Sequence, residues 1–178
     1  MVRYRRNLIP GGTFFFTVTL ADRSASLLTD NIASLRHAFR TTREERPFEI
    51  DAIVILPEHL HVLMSLPEGD ADFPGRWRRI KSVFTRHVVA LGVSATRSHR
   101  GEYGLWQRRY WEHTIRDQTD FARHFDYIHY NPAKHGWVMR AGDWPHSSFH
   151  RYVRSGLLPG DWAGAGEPEA TAFGERME

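Results

Sequence analysis

The sequence predicts an α+β protein: a sandwich around a central antiparallel sheet, with helices mainly on one face. Strand-like and helix-like segments follow one another in the order β-α-β-β-α-β-α. The connections between consecutive strands are hairpin-like, which favours antiparallel pairing. The helical segments are long enough to cover one face of such a sheet. We therefore expect a ferredoxin-like or RRM-like α/β sandwich.

The length and composition of the chain indicate a single domain. With 178 residues, 41% of them hydrophobic, the chain can bury one substantial core. We expect this domain in residues 1–155 and an irregular C-terminal tail, rich in glycine, in residues 156–178. Without cysteine, a metal site must use histidine, carboxylate, amide or water ligands. No apolar run approaches about 20 residues and no signal peptide is evident, so we expect a cytoplasmic protein without membrane contact.

The first half of the chain predicts three strands and one helix. Residues 13–20 alternate large apolar side chains with threonines, as a strand with one buried face does. A helix is expected from Asp30 to Arg43, because apolar residues recur there at helical spacing. Residues 48–56 are apolar on both sides, which is typical of a central strand. Residues 60–66 alternate again and predict the third strand.

The second half predicts two long helices and one strand. They are expected at residues 74–91 (helix), 106–115 (strand) and 120–131 (helix), with a short helix within 143–152. Thr119 is expected to cap the last long helix, and Pro132 to end it, since proline pushes the preceding residue out of the helical region. Residues 93–103 are rich in serine, arginine and glycine and predict a loop.

His59 and His61 are expected to project from one face of the third strand. Apolar side chains occupy the alternate positions of this strand. Residues two apart in a strand are separated by roughly 6.6 Å, a spacing from which two imidazoles can converge on one metal ion. The alternative, one core histidine and one surface histidine, stays open for a His-x-His pair considered alone.

Tyr127 and Asn131 lie four residues apart in the last long helix, so they share one helical face. Tyr127 falls on a different side from Phe121 and Phe125, which makes a purely packing role less natural. Asn131 could offer a third metal ligand through its side-chain carbonyl. A helical tyrosine is more often an ordinary core or surface residue, and that alternative stays open.

The basic residues suggest a polyanionic partner. Lys81 and Lys134 are the only lysines, and between Arg76 and Arg109 nine basic residues stand against one acid, Glu102. Arginine binds phosphate in a bidentate manner and stacks on bases, so this excess favours nucleic acid. A solvated helix face, or a genome that favours arginine codons, would give a similar excess.

These features together suggest phosphoryl transfer from a nucleic-acid phosphodiester to Tyr127. A metal ion held by His59 and His61 would polarise a phosphate oxygen and offset charge in the transition state. A phenol becomes a better nucleophile when an ion or a base stabilises its phenolate form. A covalent phosphotyrosine conserves the bond energy for rejoining, whereas attack by water loses it.

Two motifs resemble the HUH single-tyrosine transposases related to the IS200/IS605 insertion sequences. They are Leu56-Pro57-Glu58-His59-Leu60-His61 and residues 126–132, which Lys134-His135-Gly136 follow. Further motifs are similar to the REP-associated tyrosine transposases of bacteria: residues 11–18, Arg46-Pro47-Phe48, residues 106–107 with 110–113, and residues 161–164. The resemblance runs from about Tyr4 to Gly164, in the right order and spacing.

The resemblance implies that residues 1–155 form an HUH endonuclease and strand-transferase acting on single-stranded DNA near hairpins of repetitive extragenic palindromes. Tyr127 would form a 5′-phosphotyrosine link, and His59 and His61 would hold Mg²⁺ or Mn²⁺. Insertion-sequence relatives commonly carry glutamine where Asn131 stands, so its role as third ligand is less secure. Those relatives act as dimers, whereas REP-associated members look compatible with a monomer, which we expect.

The DNA hypothesis assigns contacts to three groups of residues. Phosphates are expected at Arg76, Arg79, Lys81, Arg108 and Arg109. The basic arm, Arg3, Arg5 and Arg6, is expected to reach bases or the foot of a hairpin. Trp106, Tyr110 and Trp111 are candidates for base stacking, although aromatic rings in a strand could equally belong to the core.

Two other functions stay open on the sequence alone. One is a zinc hydrolase in which His59 and His61 hold a reactive water and Tyr127 orients the substrate. The other is a DNA-binding regulator that recognises a hairpin and does not cut it. Only the transposase-like function requires a covalent bond between the protein and DNA.

Overall fold

The computed structural model describes residues 7–96 and 103–162. Its strands are β1 (Thr13–Thr19), β2 (Glu49–Ile55), β3 (His59–Ser65) and β4 (Trp111–Thr114). Its helices are α1 (Leu27–Asp30), α2 (Ile32–Glu45), α3 (Phe73–Ala90), α4 (Gln118–Lys134) and α5 (Phe149–Arg154), with a 3₁₀ turn at Ala141–Asp143. Among the described helices, none has both the length and the apolar composition needed to cross a bilayer. The predicted arm, Arg3, Arg5 and Arg6, and the tail from residue 163 lie outside the described residues.

The four strands form one antiparallel sheet in the order β2-β3-β1-β4. The central strands β1 and β3 pair along their full length, which places Thr17 opposite His61. Two β-α-β halves joined in this order make the ferredoxin-like arrangement. The predicted α+β fold is therefore confirmed.

Different helices cover the two faces of the sheet. Because side chains alternate along β1, Phe14 and Phe16 point to one face and Phe15 points to the other. The first face packs on α2 and α3 in the main core, where Trp77 is buried. The second face packs on α4, where Tyr127 joins Phe15. The predicted helical layer is thus formed by α2 and α3, while α4 lies over the face that carries the histidines.

The bounds of α4 differ from those predicted. Asp117 caps the helix instead of Thr119, and its carboxylate accepts a hydrogen bond of 2.8 Å from the backbone N–H of Asp120. The helix also continues through Pro132 to Lys134. Proline lacks only its own N–H donor, so the helix loses one bond to the preceding turn and the next residues remain helical. The backbone N–H of His135 still donates to the carbonyl of Asn131 at 3.0 Å.

The last strand is shorter than predicted. β4 contains Trp111–Thr114, and Trp106 reaches the sheet only through an isolated bridge with Leu20. Trp106 is 9% exposed, and its indole N–H donates to the Thr85 hydroxyl of α3 at 3.1 Å. A strand was expected over residues 106–115, but the indole of Trp106 anchors the first part of this segment to α3 instead.

Candidate active site and nucleic-acid interface

The two predicted histidines project together from β3 towards α4. His59 is 4% exposed and His61 is fully buried. Their ring centroids lie 4.9 Å apart, and the rings are nearly perpendicular. The alternative of one core and one surface histidine does not fit this arrangement, because both imidazoles are buried on the same side.

Hydrogen bonds at Nδ1 orient both imidazoles. His59 Nδ1 donates to a Glu58 carboxylate oxygen at 2.7 Å, and His61 Nδ1 lies 2.9 Å from the Thr17 hydroxyl. Burial alone would raise the pKa of the Glu58 carboxyl, but the hydrogen bond with His59, a backbone hydrogen bond and the nearby charges of His59 and Arg23 together outweigh burial and lower that pKa. Glu58 therefore stays ionised and also pairs with Arg23 at 3.6 Å. A carboxylate on one ring nitrogen directs the other nitrogen towards a metal, a common arrangement for metal-binding histidines.

Helix α4 brings Tyr127 against the histidine pair. The tyrosine is fully buried, and its ring centroid lies 5.2 Å from that of His61. Phe15 packs on both rings, at 5.5 Å from His61 and 6.0 Å from Tyr127. Asn131 is also fully buried one turn further along the helix. The structure therefore brings the rings of His59, His61 and Tyr127, which the phosphoryl-transfer hypothesis needs, into one cluster.

Two further side chains join this site, and no residue pattern in the sequence predicted a role for either of them. Lys134 donates from Nζ to the Tyr127 hydroxyl at 3.3 Å and lies 4.7 Å from the centroid of its ring. The exposed His135 has its ring centroid 5.8 Å from that of His59. The spacing of seven residues, two helical turns, was the available signal for Lys134, since it returns to the face of Tyr127.

The donor set fits a divalent metal ion. Two imidazoles with their Nδ1 atoms engaged by neighbouring oxygens are suited to coordinate through Nε2. Asn131 lies on the same helical face as Tyr127. Its part in metal binding stays a prediction.

A basic hollow of about 580 Å³ lies between α3 and the segment before β4. Lys81 and Arg108 line it together with Trp106 and Tyr110. Lys81 donates to the Gln107 carbonyl at 3.0 Å and lies 5.5 and 5.3 Å from the centroids of the Trp106 and Tyr110 rings. Four predicted DNA-contact residues therefore meet at one concave surface, with the exposed Arg109 beside them in the chain. Trp106 belongs mainly to the core, so Tyr110 is the more accessible ring.

The structure does not agree with the predicted phosphate contact of Arg76. This arginine is 1% exposed, and its guanidinium donates to Asp70 at 2.7 Å and to the Pro47 carbonyl at 2.6 Å. The helical pattern placed it outside the apolar stripe, but the turn before α3 folds back and buries it. Arg79 is half-buried and donates to Glu45 at 2.7 Å, so its charge is already compensated.

Replacing Arg76 with methionine is expected to lower the free energy of unfolding by about 3 kcal/mol, because buried hydrogen bonds to charged groups are lost. Methionine retains much of the apolar stem. Urea denaturation measures the change, and Arg79→Met is the matched control, expected to cost at most about 1 kcal/mol as a surface pair. If Arg76→Met left the stability unchanged and weakened DNA binding, the predicted phosphate contact of Arg76 would be supported after all.

Comparison with known proteins decides the family. A REP-associated tyrosine transposase from Escherichia coli (strain K12) is 51% identical over 179 aligned residues, which cover 99% of each chain. The chain belongs to the REP-associated tyrosine transposases. A putative REP-associated tyrosine transposase from Haemophilus influenzae (strain ATCC 51907 / DSM 11121 / KW20 / Rd) is 49% identical and covers 92% of this chain and 94% of its own. No family model matches the chain.

A solved structure agrees with this assignment. It is that of a REP-associated tyrosine transposase bound to a REP hairpin, which superposes with a TM-score of 0.87 at 49% identity. The match covers 100% of this chain and 99% of the other. The expected family, the expected fold and the expected enzyme class, a tyrosine transposase, are therefore confirmed.

A second polar cluster lies further along the same face of this transposase. His113 on β4 and Asp120 and His124 on α4 have potential ligand atoms within 4.8 Å of one another, so they could hold a metal ion. Burial alone would raise the pKa of the Asp120 carboxyl, but hydrogen bonds from His113 and Arg116 outweigh it and hold that pKa at about 2. No residue pattern in the sequence predicted this cluster. The four-residue spacing of Asp120 and His124 was a signal, but His113 joins them only through folding.

Proposed function

We propose that this transposase cleaves and rejoins single-stranded DNA beside hairpins of repetitive extragenic palindromes, with Tyr127 as the nucleophile. The observation that carries the proposal is the distance of 5.2 Å between the ring centroids of Tyr127 and His61. A buried phenol beside two oriented imidazoles provides a nucleophile and two metal ligands for phosphoryl transfer to tyrosine. The hairpin bound by the solved relative supports DNA of this kind as the substrate.

The proposed reaction is a transesterification. The Tyr127 hydroxyl oxygen attacks the phosphorus atom, and its proton passes to water. The new O–P bond replaces the bond to the 3′-oxygen, which takes up a proton and leaves as a free 3′-OH. The product is a 5′-phosphotyrosine, and reversal with another 3′-OH transfers the strand. The ammonium group of Lys134, which donates to this hydroxyl, favours the negative charge that develops on the oxygen.

His59, His61 and Asn131 are the proposed metal ligands. A Mg²⁺ or Mn²⁺ ion bound there supplies positive charge that offsets the charge developing on the phosphate oxygens. Glu58 and Thr17 hold the two rings in place from behind, so the ligand nitrogens are oriented before the substrate arrives. Two imidazoles suit Mn²⁺ better than Mg²⁺, which prefers oxygen ligands.

Tyr127 lies beside His61 of its own sheet, with ring centroids 5.2 Å apart, so one chain supplies both proposed site residues. This favours use of the tyrosine in cis and supports a monomer, although a dimer remains compatible with the same contacts. Light scattering on the free protein is expected to give one chain mass of 20.7 kDa. We also propose a cytoplasmic location, where bacterial DNA is accessible.

Lys81, Arg108 and Arg109 are the proposed phosphate contacts at the basic hollow. The double variant Arg108→Gln/Arg109→Gln is expected to reduce the salt dependence of hairpin binding, lowering the slope of log K against log salt by about 1.5. Fluorescence anisotropy at several salt concentrations measures that slope. Arg79→Gln, whose charge Glu45 compensates, is the control and is expected to leave the slope unchanged. An unaltered slope in the double variant would mean that Arg108 and Arg109 do not contact DNA phosphates and that the DNA binds at another surface.

A covalent protein–DNA adduct tests the proposed function. Labelled single-stranded DNA carrying a palindromic hairpin is incubated with the full chain and Mn²⁺, then separated on a denaturing gel. The proposal requires a labelled band that migrates with the protein. A metal-dependent hydrolase would release cut DNA without an adduct, and a hairpin-binding regulator would leave the DNA intact.

A further inference from the structure

We propose that His113, Asp120 and His124 form a second metal centre, suited to a borderline divalent ion of the Zn²⁺ type. The three residues come from β4 and from the first turns of α4, and their potential ligand atoms lie within 4.8 Å of one another. Two imidazoles and one carboxylate are a ligand set that zinc uses, with water in the fourth position. The centre is distinct from the site at His59 and His61.

Hydrogen bonds hold His124 beside the Asp120 carboxylate. His124 Nδ1 donates to the backbone carbonyl of Asp120 at 2.7 Å and lies 3.3 Å from one of its carboxylate oxygens. Asp120 is 5% exposed. A buried carboxylate between two imidazoles provides the negative charge that attracts a cation.

The His113 side chain must move for the cluster to close around an ion. His113 Nε2 donates to Asp120 at 2.8 Å, whereas zinc bonds of about 2.0–2.1 Å place neighbouring ligands roughly 3.4 Å apart. The rings of His113 and His124 are stacked with centroids 4.6 Å apart, so His113 must turn to share the ion. That side chain is 26% exposed and borders an open hollow of about 560 Å³, which gives it room and gives the ion access.

Arg116 is the charge that an ion would displace. Its Nε donates to Asp120 at 3.1 Å, but the side chain is 70% exposed and free to move. The carboxylate of Asp117 also raises the pKa of Arg116, after the larger effects of Asp120, and offers the guanidinium a second partner nearby. Metal binding thus replaces the guanidinium of Arg116 on the Asp120 carboxylate with a divalent ion, which carries a higher charge.

Phe15 separates this centre from the proposed nuclease site. Its ring lies 4.8 Å from His124 and 5.5 Å from His61, measured between centroids. An ion at the second centre would join edge strand β4 to the helix that carries Tyr127. Its expected consequence is a more stable position of α4 on the sheet, independent of the chemistry at Tyr127.

Titration with Co²⁺, a coloured substitute for Zn²⁺, tests the proposal on the full chain. The protein carries His59→Gln and His61→Gln, so that the nuclease site no longer competes for the ion. We expect one Co²⁺ per chain, with the intense visible absorption of a four-coordinate site, and its displacement by Zn²⁺. Adding His113→Gln is expected to weaken binding at least about tenfold, since even loss of an outer-shell contact costs that much. Arg116→Gln is the matched variant and is expected to bind as tightly or more tightly.

The absence of bound Co²⁺ in the protein with both nuclease histidines replaced would overturn the proposal. So would equal affinity before and after His113→Gln, with folding of both proteins verified by circular dichroism. Either result would make the cluster a hydrogen-bonded network only. Formation of the Tyr127 adduct does not depend on this outcome, so failure of the second centre and failure of the nuclease function are distinguishable.

Discussion

Replacement of Tyr127 with phenylalanine is expected to abolish the covalent protein–DNA product, with a fall of at least about a thousandfold in the rate of strand cleavage. Phenylalanine retains the ring that packs on Phe15 and His61 but lacks the oxygen that attacks phosphorus. The protein should remain folded, since the loss of the hydrogen bond from Lys134 costs only about 1 kcal/mol. The measurement is single-turnover cleavage of labelled hairpin DNA, followed on a denaturing gel.

Tyr130→Phe is the matched control for this experiment. Tyr130 lies on the same helix, one turn further along, and is half-buried. The Tyr130→Phe variant should form the adduct at the wild-type rate. Both variants should bind the hairpin with the affinity of the wild type. An adduct that persists in Tyr127→Phe would assign the nucleophile to another residue.

The double variant His59→Gln/His61→Gln is expected to lose metal-dependent cleavage, by about a thousandfold. A metal ion contributes several kcal/mol of transition-state stabilisation, and each 1.36 kcal/mol is a factor of ten in rate. Glutamine occupies a similar space but offers no imidazole nitrogen. Hairpin binding should be retained, because the proposed phosphate contacts at Arg108 and Arg109 lie on other elements.

The rate of cleavage as a function of Mn²⁺ concentration measures this effect. His37→Gln, an exposed histidine on α2, is the control and should leave the metal dependence unchanged. Wild-type rates in the double variant would mean that the reaction uses a metal site outside β3, or none. Lost binding together with lost cleavage would instead point to a change in the fold, which circular dichroism would detect.

Alternation along the strands predicted the orientation of the histidine pair. Because β3 is a regular central strand, the period of two holds and places His59 and His61 on one face. The position of Tyr127 beside them was not accessible from residue patterns, since it depends on where α4 crosses the sheet. The phosphoryl-transfer hypothesis and the resemblance to a known family both linked the two motifs, but neither gave the distance between them.

Arg76 illustrates why the surface was harder to predict than the strands. Its place on the helical wheel is outside the main apolar stripe, yet Asp70 in the preceding turn provides a partner that makes burial possible. A helical period describes one helix and contains no information about a loop that folds over it. The same reason explains the cluster of His113, Asp120 and His124, which tertiary packing assembles from two elements.

The hydroxyl oxygen of Tyr127 is expected to become bonded to the 5′-phosphate of the cleaved DNA. Mass spectrometry of the purified adduct, after nuclease and protease digestion, tests it directly. We expect a peptide spanning Tyr127 whose added mass corresponds to a 5′-linked nucleotide, with the modification on that tyrosine. A nucleotide attached to any other residue, or cleaved DNA recovered with no modified peptide, would contradict it.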